Sequence, residues 1–538
     1  MKNRAYEAAA KSRLFRDIIA VLFLVSFVTT FNYGGCINIP TGGGGGSSAT
    51  GDRPPVLISP GNKAVNEGEL LTFTLSVIDP DNDPISYSMV GTPTGATLNA
   101  TTGEFNWTPD YTQSGDYPIT FTATSKLLSD SKNSIITVNN VPNLNVISIS
   151  GGITTTLVTG VQGFRITNDS TKVVYVDNYD EVTGTADLKV VAITGGTPIT
   201  LATDVYRWNW QITPDSTKVV YAGASYPSYN LKVVAITGGA ATTLAAATGV
   251  QYLQIIPDST KVVYTDNYDE VTHTGDLKVV AITGGTATTL ATDVNPGYLQ
   301  IAPDSTKVIY MDNYNDVAPT GDLKMVSITG GSATTLATGV KSKDWQITPD
   351  SAKVVYPDNY DEVTDTADLK VVAITGGTAT ALATGVQYWQ ITPDSTKVVY
   401  ADNYDEVTYT VDLKVVAITG GTATVLATGV QYWQITTDST RVVYADNYDK
   451  VAYTVDLKVV AITGGTATAL ATGVNPGYLQ ITPDSTKVAY TDNYDEVTHT
   501  VDLKVVAITG GAATALAAGI PGNDLQITPD STKVVYSE

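Results

Sequence analysis

From residue 144 onward, short apolar runs and polar turns follow one another in a fixed rhythm. Residues 387–430, QYWQITPDSTKVVYADNYDEVTYTVDLKVVAITGGTATVLATGV, represent the unit. Its first run, Tyr388 to Thr392, is β-prone and closes on Pro393-Asp394-Ser395, where proline and aspartate favour a turn. A β-branched run from Lys397 to Ala401 predicts a second strand, and the polar segment Asp402 to Thr410 reads as a loop. The third run, Leu413 to Thr419, is apolar on both faces: Leu413, Val415 and Ala417 oppose Val416 and Ile418, as a sheet packed between two neighbours requires. Gly420-Gly421 predicts a tight turn, since glycine tolerates positive φ. A weaker fourth strand spans Thr422 to Ala427. No segment of the unit has helical periodicity.

The unit repeats. The leucine of its DLK motif recurs at Leu188, Leu231, Leu277, Leu323, Leu369, Leu413, Leu457 and Leu503, with spacings of 43, 46, 46, 46, 44, 44 and 46 residues. A divergent first copy, LNVISISGG, begins at Leu144. Four strand-like runs in such a period are the pattern of propeller blades. The outer half of the unit (strands three and four) occurs nine times, as does the inner half (strands one and two). The repeat region opens with an outer half and ends with an inner one, LQITPDSTKVVYSE, so joining the two completes a ninth blade and removes exposed sheet edges. The fold class expected is all-β, with a β-propeller of nine blades closed by the terminal half-blades. Nine exceeds the usual four to eight, and an open or eight-bladed ring with a loose end is the alternative. Units of the form ITPDSTKVVYADNYD…DLKVVAITGG resemble TolB-type propeller repeats, relatives of WD repeats. Ser395 stands where that family usually has glycine, and the acidic DNYDE where it commonly has a shorter turn. The resemblance implies a fold; such folds host many activities.

The propeller is assigned residues 141–538, and the preceding 140 residues divide into three. In residues 1–36, Lys2, Arg4, Lys11, Arg13 and Arg16 precede an apolar run from Ile18 to Phe31, of signal-peptide rather than membrane-span length. The run ends at Tyr33-Gly34-Gly35-Cys36, which resembles a bacterial lipoprotein signal and implies lipidation of Cys36. An ordinary signal peptide with an incidental cysteine is the plainer reading. Cys36 is the one cysteine in the chain, so there is no internal disulfide. Residues 37–53, with glycine from Gly42 to Gly46, read as a flexible tether. Residues 54–140 alternate in runs such as LLTFTLSV and YPITFTAT between turns at DPDNDP and ATTGEF, which predicts an antiparallel sandwich. They resemble the Ig-like or cadherin-like domains of bacterial surface proteins. Glu67, Asp79, Asp81 and Asp83 offer hard oxygen ligands for calcium, although the aspartate frequent after the last strand in that family is Ser125 here, and DPDNDP also reads as a plain polar turn.

A net charge of −22 opposes nucleic acid and anionic membrane surfaces as partners, leaving the membrane to a lipid anchor alone. Propeller connectivity sends the strand 2–3 and 4–1 connections to one face, which gathers the DNYDE-type segments and the aromatic VQYW or VNPGY segments. The candidate ligand-binding face is therefore Asp177, Tyr179, Asp266, Tyr268, Asp312, Asp358, Tyr360, Asp361, Glu362, Asp402, Tyr404, Asp405, Glu406, Asp446, Asp492 and Tyr494. Repeated carboxylates attract cations or a basic partner; equally, they keep a repetitive β-protein soluble. Signals for catalysis are sparse. The two histidines, His273 and His499, sit at matching positions of two blades, and no G-x-S-x-G elbow or metal-spaced His/Cys cluster occurs. Near-identical blades suit a multivalent surface better than an active site. The expected function is non-enzymatic: a monomeric, lipid-anchored envelope protein, or a secreted or periplasmic one, binding a protein or glycan. No cofactor is expected beyond calcium. The alternative is a surface carbohydrate-active enzyme using propeller carboxylates.

Overall fold

The computed structural model describes residues 52–537, except 111–112, 181–182, 224–229, 247–249, 251, 270, 296–297, 316–319, 341–343, 451, 476, 496–497, 499 and 522–524. The export segment, Cys36 and the glycine run lie outside the described residues. So does His499.

Every described element is a strand. In the first domain a four-stranded sheet, ordered Lys63–Asn66, Leu128–Asn139, Gly115–Ser125, Ile85–Val90, faces a three-stranded one of Leu71–Thr74, Glu104–Trp107 and Thr97–Leu98. Alternation puts Phe73 and Phe105 of the smaller sheet against Phe121 of the larger, with ring centroids 5.0–5.8 Å apart. The Trp107 indole N–H, in the same core, donates to the Thr94 carbonyl at 3.1 Å.

Val56–Leu57 and Val77–Ile78 add a two-stranded sheet to the first domain, and the strands from Leu144 onward form four-stranded antiparallel sheets, plus one seven-stranded sheet in which the long strand Ile199–Ile212 closes one group of four and opens the next. In the representative unit the strands are Tyr388–Ile391, Lys397–Asp405, Thr410–Ala417 and Thr424–Val430. The second is longer than its β-branched run predicted. It continues through Asp402-Asn403-Tyr404-Asp405, because Asn403 adopts φ +53° and forms a bulge that lets Asp405 pair with Thr410. The polar run thus belongs to the ladder, and only residues 406–409 connect the strands.

Two-sided burial of the third strand is realised across blades. Leu413 packs with Trp433, Ile435 and Tyr444 of the following unit, while Val416 on the other face packs with Val355 and Leu369 of the preceding one and with Val398 of its own. Such clusters continue round to the first and last strands of the propeller. Leu144–Ser148 pairs antiparallel with Lys533–Ser537 over five residues, and Ile147 and Ile149 join Leu503, Val505 and Leu525 in one cluster. On the other side Leu144, Val146 and Val535 meet Phe164 and Val173. The first and last propeller strands therefore share a sheet.

The turn between strands one and two adds a second tie. Asp394 Oδ1 accepts from Thr392 Oγ1, the Thr396 amide and Thr396 Oγ1 at 2.5, 3.0 and 2.8 Å. Burial alone would raise the Asp394 pKa; these bonds and nearby Lys397 outweigh it and hold the carboxyl low. Its neighbour Ser395 adopts φ +62°, a conformation costing a non-glycine residue about 1–2 kcal/mol. The hydroxyl compensates by bonding to another blade, accepting from the Asp350 amide at 2.9 Å. Among the described residues nine such bonds, each 2.9–3.1 Å, run from one turn to the next, and Asp530 to Ser170 completes the circuit.

This explains serine where the resembling repeats use glycine, and it sets an expectation. Ser395→Ala retains the strain and loses the bond, whereas Ser395→Gly loses the bond but relieves the strain. Urea unfolding should show both variants destabilised or near neutral, with alanine the worse by about 1 kcal/mol. Glycine equal to or worse than alanine would show that the positive φ carries no strain to relieve, and alanine as stable as the wild type would show that the hydroxyl bond does not compensate for it.

Candidate functional site

The strand extension gives each letter of the DNYD motif a position. Asp402 pairs opposite Asp412 and Tyr400 opposite Lys414, so the lysine of the DLK motif lies diagonally across from Asp402 on the same face. Its ammonium reaches Asp402 at 2.7 Å. The same pair forms between Lys189 and Asp177 at 2.8 Å, Lys278 and Asp266 at 2.8 Å, Lys458 and Asp446 at 2.9 Å, and Lys504 and Asp492 at 2.7 Å. Lys324 with Asp312 and Lys370 with Asp358 complete the set. Most of these aspartates are buried, Asp402 being 8% exposed. The first carboxylate of each motif therefore sits inside the sheet and its counter-ion is supplied by the chain itself. This corrects the expectation that these positions form a loop whose like charges await an external cation.

Burial and pairing act in opposite directions at Asp177 and Asp492. At Asp177 burial prevails and raises the pKa against the Lys189 bond. At Asp492 burial is outweighed by the Lys504 bond and the amides of Asn493 and Asn475, and the pKa falls. On the lysine side, the bond to Asp402 raises the Lys414 pKa, as the equivalent bonds do at Lys324, Lys370, Lys458 and Lys504. A raised lysine contributes stability fully below its unfolded-state value and loses it only as pH climbs through the folded one.

Asn403 donates from Nδ2 to Asp412 Oδ2 at 2.8 Å, and Asp405 Oδ1 caps the connection by accepting from the amides of Val407 and Thr408 at 2.7 and 3.2 Å. Asp361 accepts likewise from the Val363 amide at 2.8 Å. Glu362, Glu406 and Tyr404 are exposed. Burial, adjacent Tyr388 and Tyr409, and then Glu406 and Asp405 raise the Tyr404 pKa, which places these groups together on the rim. Tyr494 is exposed as well. Tyr268 bonds His273 Nδ1 at 3.0 Å, Tyr360 bonds Asp365, and Tyr179 lies under the Arg207 guanidinium at 4.6 Å. The face drawn from sequence thus separates into a paired inner row of aspartates, capping aspartates, and an exposed row of tyrosine and glutamate.

In the first domain the four residues named for calcium are not gathered as a set. Glu67 is 2% exposed and accepts from the Val141 amide at 2.9 Å. Asp79 Oδ1 accepts from the amides of Asp81 and Asp83. Asp81 and Asp83 converge instead with Asp52, and side-chain cations occupy the convergence: Arg53 lies 2.7 Å from Asp81, and Lys126 lies 2.6 Å from Asp83 and 3.0 Å from Asp52.

A cleft near Arg165 and Trp208 belongs to no motif picked out of the repeat. The signal for it lies in two departures from the repeat, FRI for WQI and VYRWNW for VQYW.

The family described as "Putative Ig domain" matches residues 54–139. No curated protein matches the chain in sequence. Similar solved structures include TolB from Acinetobacter baumannii, 12% identical over 62% of this chain and 78% of that one with a TM-score of 0.29. The β-propeller domain of the Trilobed protease from Pyrococcus furiosus is 12% identical over 60% and 98%, with a TM-score of 0.33. A eukaryotic initiation factor is 12% identical over 70% and 97%, with a TM-score of 0.47. These are unlike proteins, and function has to be read from the residues of this chain.

Removing the internal counter-ion should cost stability. Lys414→Met leaves Asp402 unpaired in the sheet and is expected to destabilise by about 1–3 kcal/mol, between the surface and buried limits for an ion pair. Urea melts at pH 6 and pH 9 should give the same loss, because the raised lysine is protonated at both. A loss below a few tenths of a kcal/mol would show that Asp402 is hydrated rather than paired.

Proposed function

We propose that the protein is an extracytoplasmic, non-enzymatic binding protein whose propeller rim engages an envelope protein or glycan. Residues 1–36 direct export, Cys36 carries the lipid, and the tether and Ig-like domain space the propeller from the membrane. The observation that carries the reading is the repeated exposed row. Tyr409 and Tyr453 lie on strand 2–3 connections and Tyr388, Tyr404 and Tyr494 at the strand ends of the same face, all 37–59% exposed, with Glu362 and Glu406 beside them. Tyrosine suits partly wet contact surfaces because it joins an apolar ring to a polar tip. Recurrence in successive blades makes the row multivalent, so weak contacts add through effective concentration. The acidic residues favour a partner carrying basic groups.

The mature protein, immobilised and exposed to envelope extract, should retain a partner at low ionic strength and lose it as salt rises. Replacing Tyr404, Tyr409, Glu362 and Glu406 by alanine, with every Asp–Lys pair left intact, should weaken retention at least tenfold at an unchanged melting temperature. Equal retention by both proteins would make the rim a solubility device. Polysaccharide turnover by the wild type would replace binding with catalysis.

Anchoring has its own test. Cys36→Ala should move the protein from the membrane fraction to the soluble one, since a single apolar segment of this length spans poorly. Retention in the membrane would mean that the apolar run is itself the anchor.

A further inference from the structure

Eight of the nine first strands carry glutamine before their last isoleucine, and the ninth carries Arg165. The glutamine joins neighbouring blades at the ring's inner edge. Gln211 donates to the Leu253 carbonyl and accepts from the Ile255 amide, both at 3.0 Å. Gln300 and Gln434 make the same two bonds to the blades that follow them. Arg165 instead lays its guanidinium over the Trp210 ring of the next blade, 5.0 Å from the centroid. The second departure adjoins it. Between Val205 and Trp210 the connection is two residues longer than between Val386 and Trp389. It also runs without a break as one strand, Ile199–Ile212.

Together these open a cleft of 330 Å³ lined by Arg165, Tyr206, Trp208, Asn209, Trp210 and Tyr252, among others. That volume lies at the lower end of ligand pockets, which span about 300–1,000 Å³. Trp208 is 68% exposed, while the other described tryptophans are buried or half-buried. Its exposure is braced. The Arg207 guanidinium stacks on the indole at 4.4 Å and on Tyr179 at 4.6 Å, and donates to the Gln162 carbonyl at 3.0 Å. One face of the ring is thus held and the other is left open. Among the described residues no carboxylate pairs with Arg165 or Arg207; the first aspartates of the repeated motif pair with lysine. In a chain of net charge −22, an arginine without an acidic partner beside an open aromatic face is selective for an anion that is also flat and apolar on one side.

We infer that this cleft is a single-copy binding site for a carboxylated saccharide. The C–H face of a pyranose ring stacks on the open face of Trp208. Its carboxylate takes the planar donor fork of Arg165, which suits bidentate pairing. Tyr206, Tyr252 and Asn209 offer polar atoms to the hydroxyls. A purely apolar ligand would desolvate Arg165 without return, and nucleic acid meets the net negative charge. The site is independent of the repeated rim, because it exists where the repeat fails.

The test is calorimetric titration of the full chain with four-unit oligomers of galacturonate, glucuronate and mannuronate, each against its methyl ester, which removes the charge and keeps the ring. One acid oligomer should bind at one site per chain, at least tenfold tighter than its ester, with the ratio shrinking as salt rises. Arg165→Gln installs the residue of the other eight blades, so folding is expected to be preserved. It should bring acid affinity down to that of the ester and leave the ester unchanged. Trp208→Ala should weaken both forms at least tenfold at an unchanged melting temperature, whereas the rim variant should bind as the wild type does. Absence of saturable binding across the panel, or an acid-to-ester ratio that survives Arg165→Gln, would overturn the assignment.

Discussion

A four-stranded sheet that is apolar on both faces has no stable existence alone in water, and that constraint shapes everything after residue 144. Leu413 and Val416 lie three residues apart on opposite faces of one strand, and each is buried only because a different neighbouring blade covers it. Burying a side chain of this kind contributes about 1.5–3 kcal/mol, repeated at every seam, and the requirement for two neighbours admits no terminal blade without an uncovered face. Closing the ring answers it. The hydrogen bonds from turn to turn and the glutamine bonds between inner strands are directional additions to that non-directional demand, fixing the height and tilt at which adjacent blades meet.

Much of the architecture was legible from pattern. Alternating and continuous apolar runs gave the strands, the period gave the blades, and the matching halves at the two ends predicted the pairing of Leu144–Ser148 with Lys533–Ser537. The site was read less well, for a physical reason. A run such as DNYDE looks like a loop by polarity, yet one asparagine in the left-handed region is enough to carry the ladder through it. The partner of Asp402 lies twelve residues on, at a position that matters only once the register is known. A constant spacing between the motif's aspartate and the DLK lysine in seven copies was the available clue, and it concerned stability rather than recognition. Glu67 and Asp79 show the same limit: Asp81 and Asp83 of DPDNDP converge with Asp52, a residue outside the motif, and not with them.

Repetition and its failure carry different information. Where copies agree, as at Asp402 and Lys414 or at Ser395, the shared side chains hold blades together, and what reaches solvent identically in each copy forms a row. Where one copy disagrees, as at Arg165 and at Trp208, the ring acquires a direction. Blades that are otherwise interchangeable become distinguishable by their distance from the cleft.

The pairing of strand 144–148 with strand 533–537 also sets an order of events. The edge formed by the first of these strands remains unpaired until almost four hundred further residues have been synthesised, and every intervening blade offers it a strand of similar sequence. Contacts so distant along the chain form slowly, and unpaired edges are sites of misassembly. The sequence differences between the first outer half, LNVISISGG, and its later copies thereby acquire a role in folding: they distinguish the strand that must wait from the strands that must not occupy its place.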